Sequence, residues 1–364
     1  MDKGNKLRLG ILGLGEGRST ISACLNSEKI DLIQICDSNE LLCRQRAKEF
    51  DFPHYTTSYT EMLERSDIDA IGIYTPDKFH AEHIKMALEH QKHVVCTKPL
   101  LDDLKEAKGL LALQEISGKR LFVGQSSRFF EPMRKQREDY LKGRIGDLIT
   151  IEAYYHADHR WFLSKPWALE NTFKWLYGGL SHPVDFIRWY MPDIEEVMGY
   201  GMLSSNGREG GLKNEDSMHF IFKSRDGKVA RVSGAYTGPV QPALRDSEMS
   251  CILRGTKGCS QGDYMELRYA ITDRDGEEQV ITWEHKSKHY FRFEGKSHHA
   301  GEYNNYLEHF ADSIHGDFIA YPDLREGIGT VALLKTMEKS LLSGMPEKPD
   351  ETKKEYGLEN WLQK

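Results

Sequence analysis

Short apolar runs alternate with amphipathic stretches through the first third of the chain. Residues 7–12, 30–36, 70–74, 93–96 and 120–123 read as strands, and 58–64, 81–90 and 102–116 carry helical spacing between them. Such alternation predicts βαβ units and a doubly wound parallel sheet of the α/β class. After Gly146 the texture changes to longer alternating segments, at 148–156, 218–223, 229–236, 249–254 and 279–283. These predict an antiparallel sheet and an α+β second domain. Residues 204–216 read as a loop, 183–191, 303–314 and 323–342 as helices, and 346–364 as a charged tail on the surface or on a partner subunit. The expected division is therefore 1–127, 128–345 and 346–364, with the terminal helices available to pack back on the first domain.

The first apolar run breaks into Gly13-Leu14-Gly15-Glu16-Gly17-Arg18, a strand, a tight turn and a helix start. Glycine is required where the turn takes dihedrals closed to other residues. It is also required where a side chain would hold the backbone away from a pyrophosphate at the helix N-terminus. The usual third glycine position falls on Arg18, with Gly17 one place early. Asp37 ends the second strand 22 residues after Gly15, where an acid about 20 residues on holds ribose hydroxyls. That acid favours NAD over NADP, because a carboxylate repels a 2′-phosphate. Three further strand ends carry unusual residues: Tyr74-Thr75-Pro76-Asp77 with His80, Cys96-Thr97-Lys98-Pro99, and 124–129 with Arg128. Ligands of such sheets sit at the carboxyl ends of the strands, so all three point to the crevice of Gly13 and Asp37.

Composition narrows the field. The 364 residues suit two domains, and 49 basic against 56 acidic residues give a net charge of -7. No basic run interleaved with aromatics is present, which argues against nucleic acid as a partner. The longest apolar stretches are of strand length, so no membrane span is expected, and the first strand at Leu7 leaves no room for a signal peptide. The six cysteines lack C-x-x-C spacing and read as reduced thiols of a cytoplasmic protein.

Lys98, at a strand end before Pro99, stands where a nicotinamide would project. Burial and the oxidised ring's positive charge would lower its pKa and let it exchange a proton with a substrate hydroxyl. His182 precedes Pro183, which favours an extended residue followed by a helix start, and places the imidazole at a helix mouth. In 156–160, strand periodicity puts His156 and Asp158 on one face and His159 on the other, so convergent metal ligands are not expected. His156, Arg160, Trp161, Trp167 and Asp185 join Lys98 and His182 as candidate substrate contacts. The tryptophans, all in the second part of the chain, read equally as core and as a sugar platform. His298 and His299 carry the same two readings, polar substrate contact or solvated surface.

The chain resembles the Gfo/Idh/MocA oxidoreductases, the family of glucose-fructose oxidoreductase and inositol dehydrogenase. The likeness rests on Gly13-Leu14-Gly15, Thr75-Pro76 with His80, Thr97-Lys98-Pro99, Arg128-Phe129, His182 to Asp185, and the closing segments from Tyr306 and to Gly344. It implies a Rossmann domain, an open-faced sheet domain forming a homodimer or homotetramer, and hydride exchange with sugars, polyols or related alcohols. On this reading Lys98 is the proton acceptor and His182 an orienting group or alternate base. Gly13, Leu14, Gly15, Glu16, Gly17, Arg18, Asp37, Thr75, Pro76, His80, Lys98 and Arg128 would meet the cofactor. Two positions depart from the pattern: Thr97 replaces a glutamate, and Gly178 stands where an aspartate commonly lies four residues before the histidine. The second keeps a redox-neutral lyase or glycosidase, working through a transient keto-sugar, as an alternative. A non-catalytic cofactor sensor is the other.

Overall fold

The computed structural model describes residues 6–164, 169–170, 173–241, 247–293, 296–297 and 301–361. Trp167, His298 and His299 lie outside the described residues. The chain divides into two compact units, and neither is a continuous stretch. The first takes 1–129, 286–329 and 360–364; the second takes 130–285 and 330–359.

In the first unit, β1 (Leu7–Leu12), β2 (Ile30–Cys36), β3 (Tyr55–Thr56), β4 (Ala70–Ile73), β5 (His93–Thr97) and β6 (Leu121–Gly124) make a sheet in the order β3-β2-β1-β4-β5-β6. Every pairing in it is parallel. Between them run α1 (Gly17–Leu25), α2 (Glu40–Glu49), α3 (Tyr59–Glu64), α4 (His80–Glu89) and α5 (Ala107–Ser117). Strands β4 and β6 are buried at every residue, as expected of parallel strands covered on both faces. The register sets the site: Leu12 lies opposite both Cys36 and Ile73, Ile73 opposite Cys96, and Thr97 opposite Gly124. Gly13, Asp37, Tyr74 and Lys98 therefore follow one another along a single carboxyl edge.

The helix Gly301–His315 closes this core. Its Tyr303, Tyr306, Leu307, Phe310 and Ala311 are buried at the spacing of one helical face and join Leu7, Ile11 and Phe122 in one cluster. Each fully buried side chain of this size contributes about 1.5–3 kcal/mol of transfer free energy. The helix expected at 102–116 begins five residues later, at Ala107. Leu100, Leu101 and Leu104 are buried as the chain leaves β5, and Asp103 Oδ1 accepts the Lys105 N–H at 3.0 Å, so a turn holds the intervening residues.

The second unit is built on β7 (Leu148–Ala157), β8 (Ile194–Met202), β9 (Ser217–Ser224), β10 (Val229–Ala235), β11 (Ser247–Gly255), β12 (Cys259–Asp263), β13 (Arg268–Thr272) and β14 (Glu278–Thr282). They are ordered β14-β13-β12-β11-β7-β10-β9-β8, antiparallel except for β7 beside β10. The pattern missed β8, β12 and β13. Strand β12 is nearly devoid of apolar residues and is held from outside: Gln136 Nε2 donates to the carbonyls of Cys251 at 2.9 Å and Ser260 at 3.2 Å, across β11 and β12.

Residues 346–359, the charged tail, carry regular structure. Glu347 exchanges two main-chain hydrogen bonds with Val197, at 2.9 and 2.8 Å, Pro349–Glu355 is helical, and Leu358 is fully buried. Its hydrophobic anchors are too sparse to register as a periodic pattern. Among the described residues, no helix is long and apolar enough to cross a membrane.

Candidate functional site

The three glycines of the first turn stand in three different surroundings. Gly13 has φ +88°, and a Cβ there would stand 2.6 Å from the carbonyl carbon and oxygen of Tyr74 and 2.7 Å from the Thr75 nitrogen. The turn after β1 thus lies directly against the end of β4. A Cβ on Gly17 would come within 3.0 Å of Ile11 Cγ2, so this glycine, one place early, lets α1 pack closely on β1. At Gly15 a Cβ would meet nothing within 4 Å. The space beside its backbone is open among the described residues, room for a ligand brought against the turn. This is the fit expected of a pyrophosphate at a helix N-terminus.

Asp37 is fixed from two sides. Its Oδ2 accepts the Leu14 N–H at 2.8 Å and its Oδ1 accepts the Asn39 N–H at 2.9 Å, while the Asn39 side chain caps α2. The carboxylate is thereby held beside the glycine turn, as a ribose-binding acid requires. Arg18 does not extend freely over the turn: it forms an ion pair with Glu49, which also pairs with Arg46 at 2.6 Å. Arg46 Nε in turn donates to the Leu14 carbonyl at 3.0 Å. Neither Arg46 nor Glu49 was legible as part of the site, because charges in an amphipathic helix look like a solvated face.

At the end of β4, Thr75 Oγ1 lies 3.0 Å from His83 Nδ1, and Pro76 leads into a short helical turn over Asp77–Phe79. His80 is fully buried. Its Nε2 meets the Thr75 carbonyl at 2.8 Å and its Nδ1 the carbonyls of Pro99 at 3.0 Å and Leu100 at 3.3 Å. The imidazole therefore clamps the chain ends leaving β4 and β5 together, and with them the peptide that carries Lys98. Lys98 itself is half-buried. Burial pushes its pKa below the usual lysine range, opposed by the negative charges of Glu16 and Asp77. Asp77 is shifted the other way by burial, against the charges of His80 and Lys98. The Tyr303 hydroxyl donates to Glu16 Oε1 at 3.0 Å, and the Tyr74 and Tyr306 hydroxyls lie 2.7 Å apart. Arg128 is buried, 3.8 Å from Glu326.

The second unit carries the remaining candidates. His182 is not extended before its proline: it lies within the first turn of the helix Ser181–Tyr190. Pro183 is tolerated there because the N–H groups of a first turn have no intrahelical partner to lose. His182 is buried with its ring edge-on to Tyr155, the centroids 5.9 Å apart. Asp185, three residues on and so on the same helix face, is fully buried. His156 points to the opposite side of β7, with its Nε2 3.3 Å from Ser233 Oγ. Burial and the neighbouring His219 lower its pKa.

Asp158 is forked to Arg160 by bonds of 2.7 and 2.6 Å, which hold its carboxyl below the usual range. His159, on the His182 side of the strand, packs among Tyr155, Phe162, Trp175 and Tyr236. The tryptophans divide: Trp175 is buried core, whereas Trp161 is half exposed, its ring tilted against Phe162 with centroids 4.0 Å apart. A Cβ at Gly178 would make only an ordinary 3.5 Å contact with the Phe173 ring. Among the described residues no group of three or more His, Cys, Asp or Glu is placed to hold a metal ion.

Family models match the chain in two stretches. Residues 7–125 match the family model described as an oxidoreductase family with an NAD-binding Rossmann fold, and residues 141–348 its C-terminal alpha/beta domain. A 1-carboxy-3-chloro-3,4-dihydroxycyclohexa-1,5-diene dehydrogenase of Comamonas testosteroni is 29% identical over 188 residues, 50% of this chain and 47% of that one. The D-glucoside 3-dehydrogenase of Escherichia coli is 27% identical over 150 residues, 40% of this chain and 42% of that one. The alignments thus span less than half of either relative. An oxidoreductase of Agrobacterium radiobacter, solved with NAD+, L-tartaric acid and magnesium, shares the fold at a TM-score of 0.83 and 16% identity, over 95% of this chain and 99% of that one. The glycine turn, the strand order and these two matches together place the chain in the Gfo/Idh/MocA oxidoreductase family, with an NAD-binding Rossmann domain and the family's C-terminal α/β domain.

Proposed function

We propose that the protein oxidises a secondary carbinol of a sugar, polyol or related cyclic alcohol, with Lys98 taking the hydroxyl proton. The observation that carries this reading is Lys98 at the carboxyl end of β5, its charged form disfavoured by burial. NAD, when bound, supplies the hydride acceptor at the carbinol carbon. Gly13, Gly15 and the start of α1 hold its pyrophosphate, and Asp37 accepts from its ribose hydroxyls. A neutral amine is the form that accepts a proton, and a lowered pKa makes it more abundant near neutral pH than on a surface lysine. His182 orients the substrate hydroxyl or serves as alternate base, and the buried Asp185 is the acid positioned on its own helix. Asp158 is already engaged by Arg160, which favours Asp185 over it. Arg160 and Trp161 are assigned to substrate contacts; His156, on the opposite side of β7 from His182, is left out of the site. The dehydrogenases named above support the choice of a ring secondary alcohol.

The test is incubation with NAD and a panel of sugars, polyols and glycosides, following absorbance of reduced nicotinamide together with product analysis. Stoichiometric NADH is the expected result. Product formed with no net NADH would sink simple dehydrogenation and return the redox-neutral route.

Assembly of the protein into a homodimer or homotetramer through the open face of the second-unit sheet is the corresponding proposal for quaternary structure. Tyr200, Ile221 and Met202 are 67%, 61% and 55% exposed there, apolar area that association would cover. Light scattering should give a dimer or tetramer mass, and Ile221→Lys should shift it toward monomer; a monomer in wild type would refute the assignment.

A further inference from the structure

We propose that Glu49 sets the preference for NAD over NADP, by occupying two guanidinium groups that would otherwise meet a 2′-phosphate. The inference rests on reading Asp37 as the ribose-binding acid. Leu14 is bound at both ends of its backbone: its N–H to Asp37 Oδ2 at 2.8 Å and its carbonyl to Arg46 Nε at 3.0 Å. A cation thus stands on the same residue as the ribose acid. That cation's second arm, Arg46 Nη1, reaches Glu49 Oε2 at 2.6 Å, while Arg18 Nε reaches Glu49 Oε1 at 2.5 Å. The three side chains are only 10–16% exposed.

The chain therefore carries two guanidinium groups of the kind a phosphate site uses, each giving a donor to the one carboxylate of Glu49. A 2′-phosphate brings a charge of about -1.5 to -2 and is recognised best by arginines able to offer paired N–H donors. With Glu49 in place, the two positive charges are offset by Glu49 and Asp37. Removing the Glu49 charge alone leaves the pair in excess at the ribose end of the site.

The experiment measures dissociation constants of NAD and NADP by calorimetry on wild type, Glu49→Gln and Glu49→Asp. Glu49→Gln keeps the side chain's size and should improve the NADP-to-NAD affinity ratio about tenfold at low salt. The gain should shrink as ionic strength rises, which a purely structural role would not produce. Glu49→Asp keeps the charge and should leave the ratio unchanged. Arg46→Gln added to Glu49→Gln should erase most of the gain. An unchanged ratio in Glu49→Gln, equal weakening of both cofactors, or the same change in Glu49→Asp would each overturn the proposal and leave Glu49 a scaffold for the glycine turn.

Discussion

Lys98→Met is expected to lower turnover by about 10²- to 10⁴-fold, the range for a lost general acid-base group, while NAD affinity stays nearly unchanged. Methionine keeps the length and apolar stem of lysine but can neither accept nor donate a proton. Lys98 stands at the carboxyl edge beside Glu16 and Asp77, with burial lowering its pKa. In wild type the oxidation rate should therefore rise with pH through a pKa below that of a free lysine, as the amine loses its proton. Lys98→Met should remove that limb of the profile altogether. Stopped-flow rates across pH, with cofactor affinity measured separately by fluorescence, would separate the two readings. Loss of NAD affinity with unchanged single-turnover chemistry would make Lys98 a cofactor ligand; comparable turnover in both proteins would remove it from the mechanism.

The second large effect is a contrast between two glycines of one turn. Gly13→Ala places a methyl within 2.6 Å of main-chain atoms of Tyr74, at φ +88°. Main chain cannot swing aside as a side chain can, so the cost is about 1–2 kcal/mol of left-handed strain plus about 1–3 kcal/mol of displaced packing. Thermal or urea unfolding should show it without cofactor. Gly15→Val meets no protein atom within 4 Å of its Cβ and should leave unfolding within about 1 kcal/mol of wild type. Its expected loss is in cofactor binding, by about 10²-fold or more, since the branched side chain would stand where the backbone approaches a pyrophosphate. Undiminished NAD affinity in Gly15→Val would move the pyrophosphate away from this turn.

How much of this was legible varied with the physics of each element. Strands β1 and β2 were readable to the residue because their mainly apolar runs, broken only by Arg8, Asp31 and Gln34, end sharply at Gly13 and Asp37. Asp37 was readable because its distance from the glycines is fixed by one βα unit. Strand β12 was not, since Cys259 to Asp263 is a strand only because its neighbours and Gln136 make it one. For His80, its position relative to Thr75 and Pro76 was visible, but not that both ring nitrogens meet main-chain carbonyls. His182 in a helical first turn shows the weakness of the pre-proline rule where a helix start tolerates the proline.

The helix Gly301–His315 has a consequence for how the chain is made. The sheet that carries the glycine turn is complete once Gly124 has been synthesised, yet the layer covering Phe122 and Phe129 is supplied by Tyr306 and Phe310, some 180 residues later in the chain. Until that helix emerges from the ribosome, the nascent sheet displays an uncovered aromatic face, the kind of surface on which unfinished chains associate. Residues 130–285, the larger part of the second unit, are synthesised in that interval. A fragment ending at Phe129 would carry every glycine of the cofactor turn and still lack the face that closes over it.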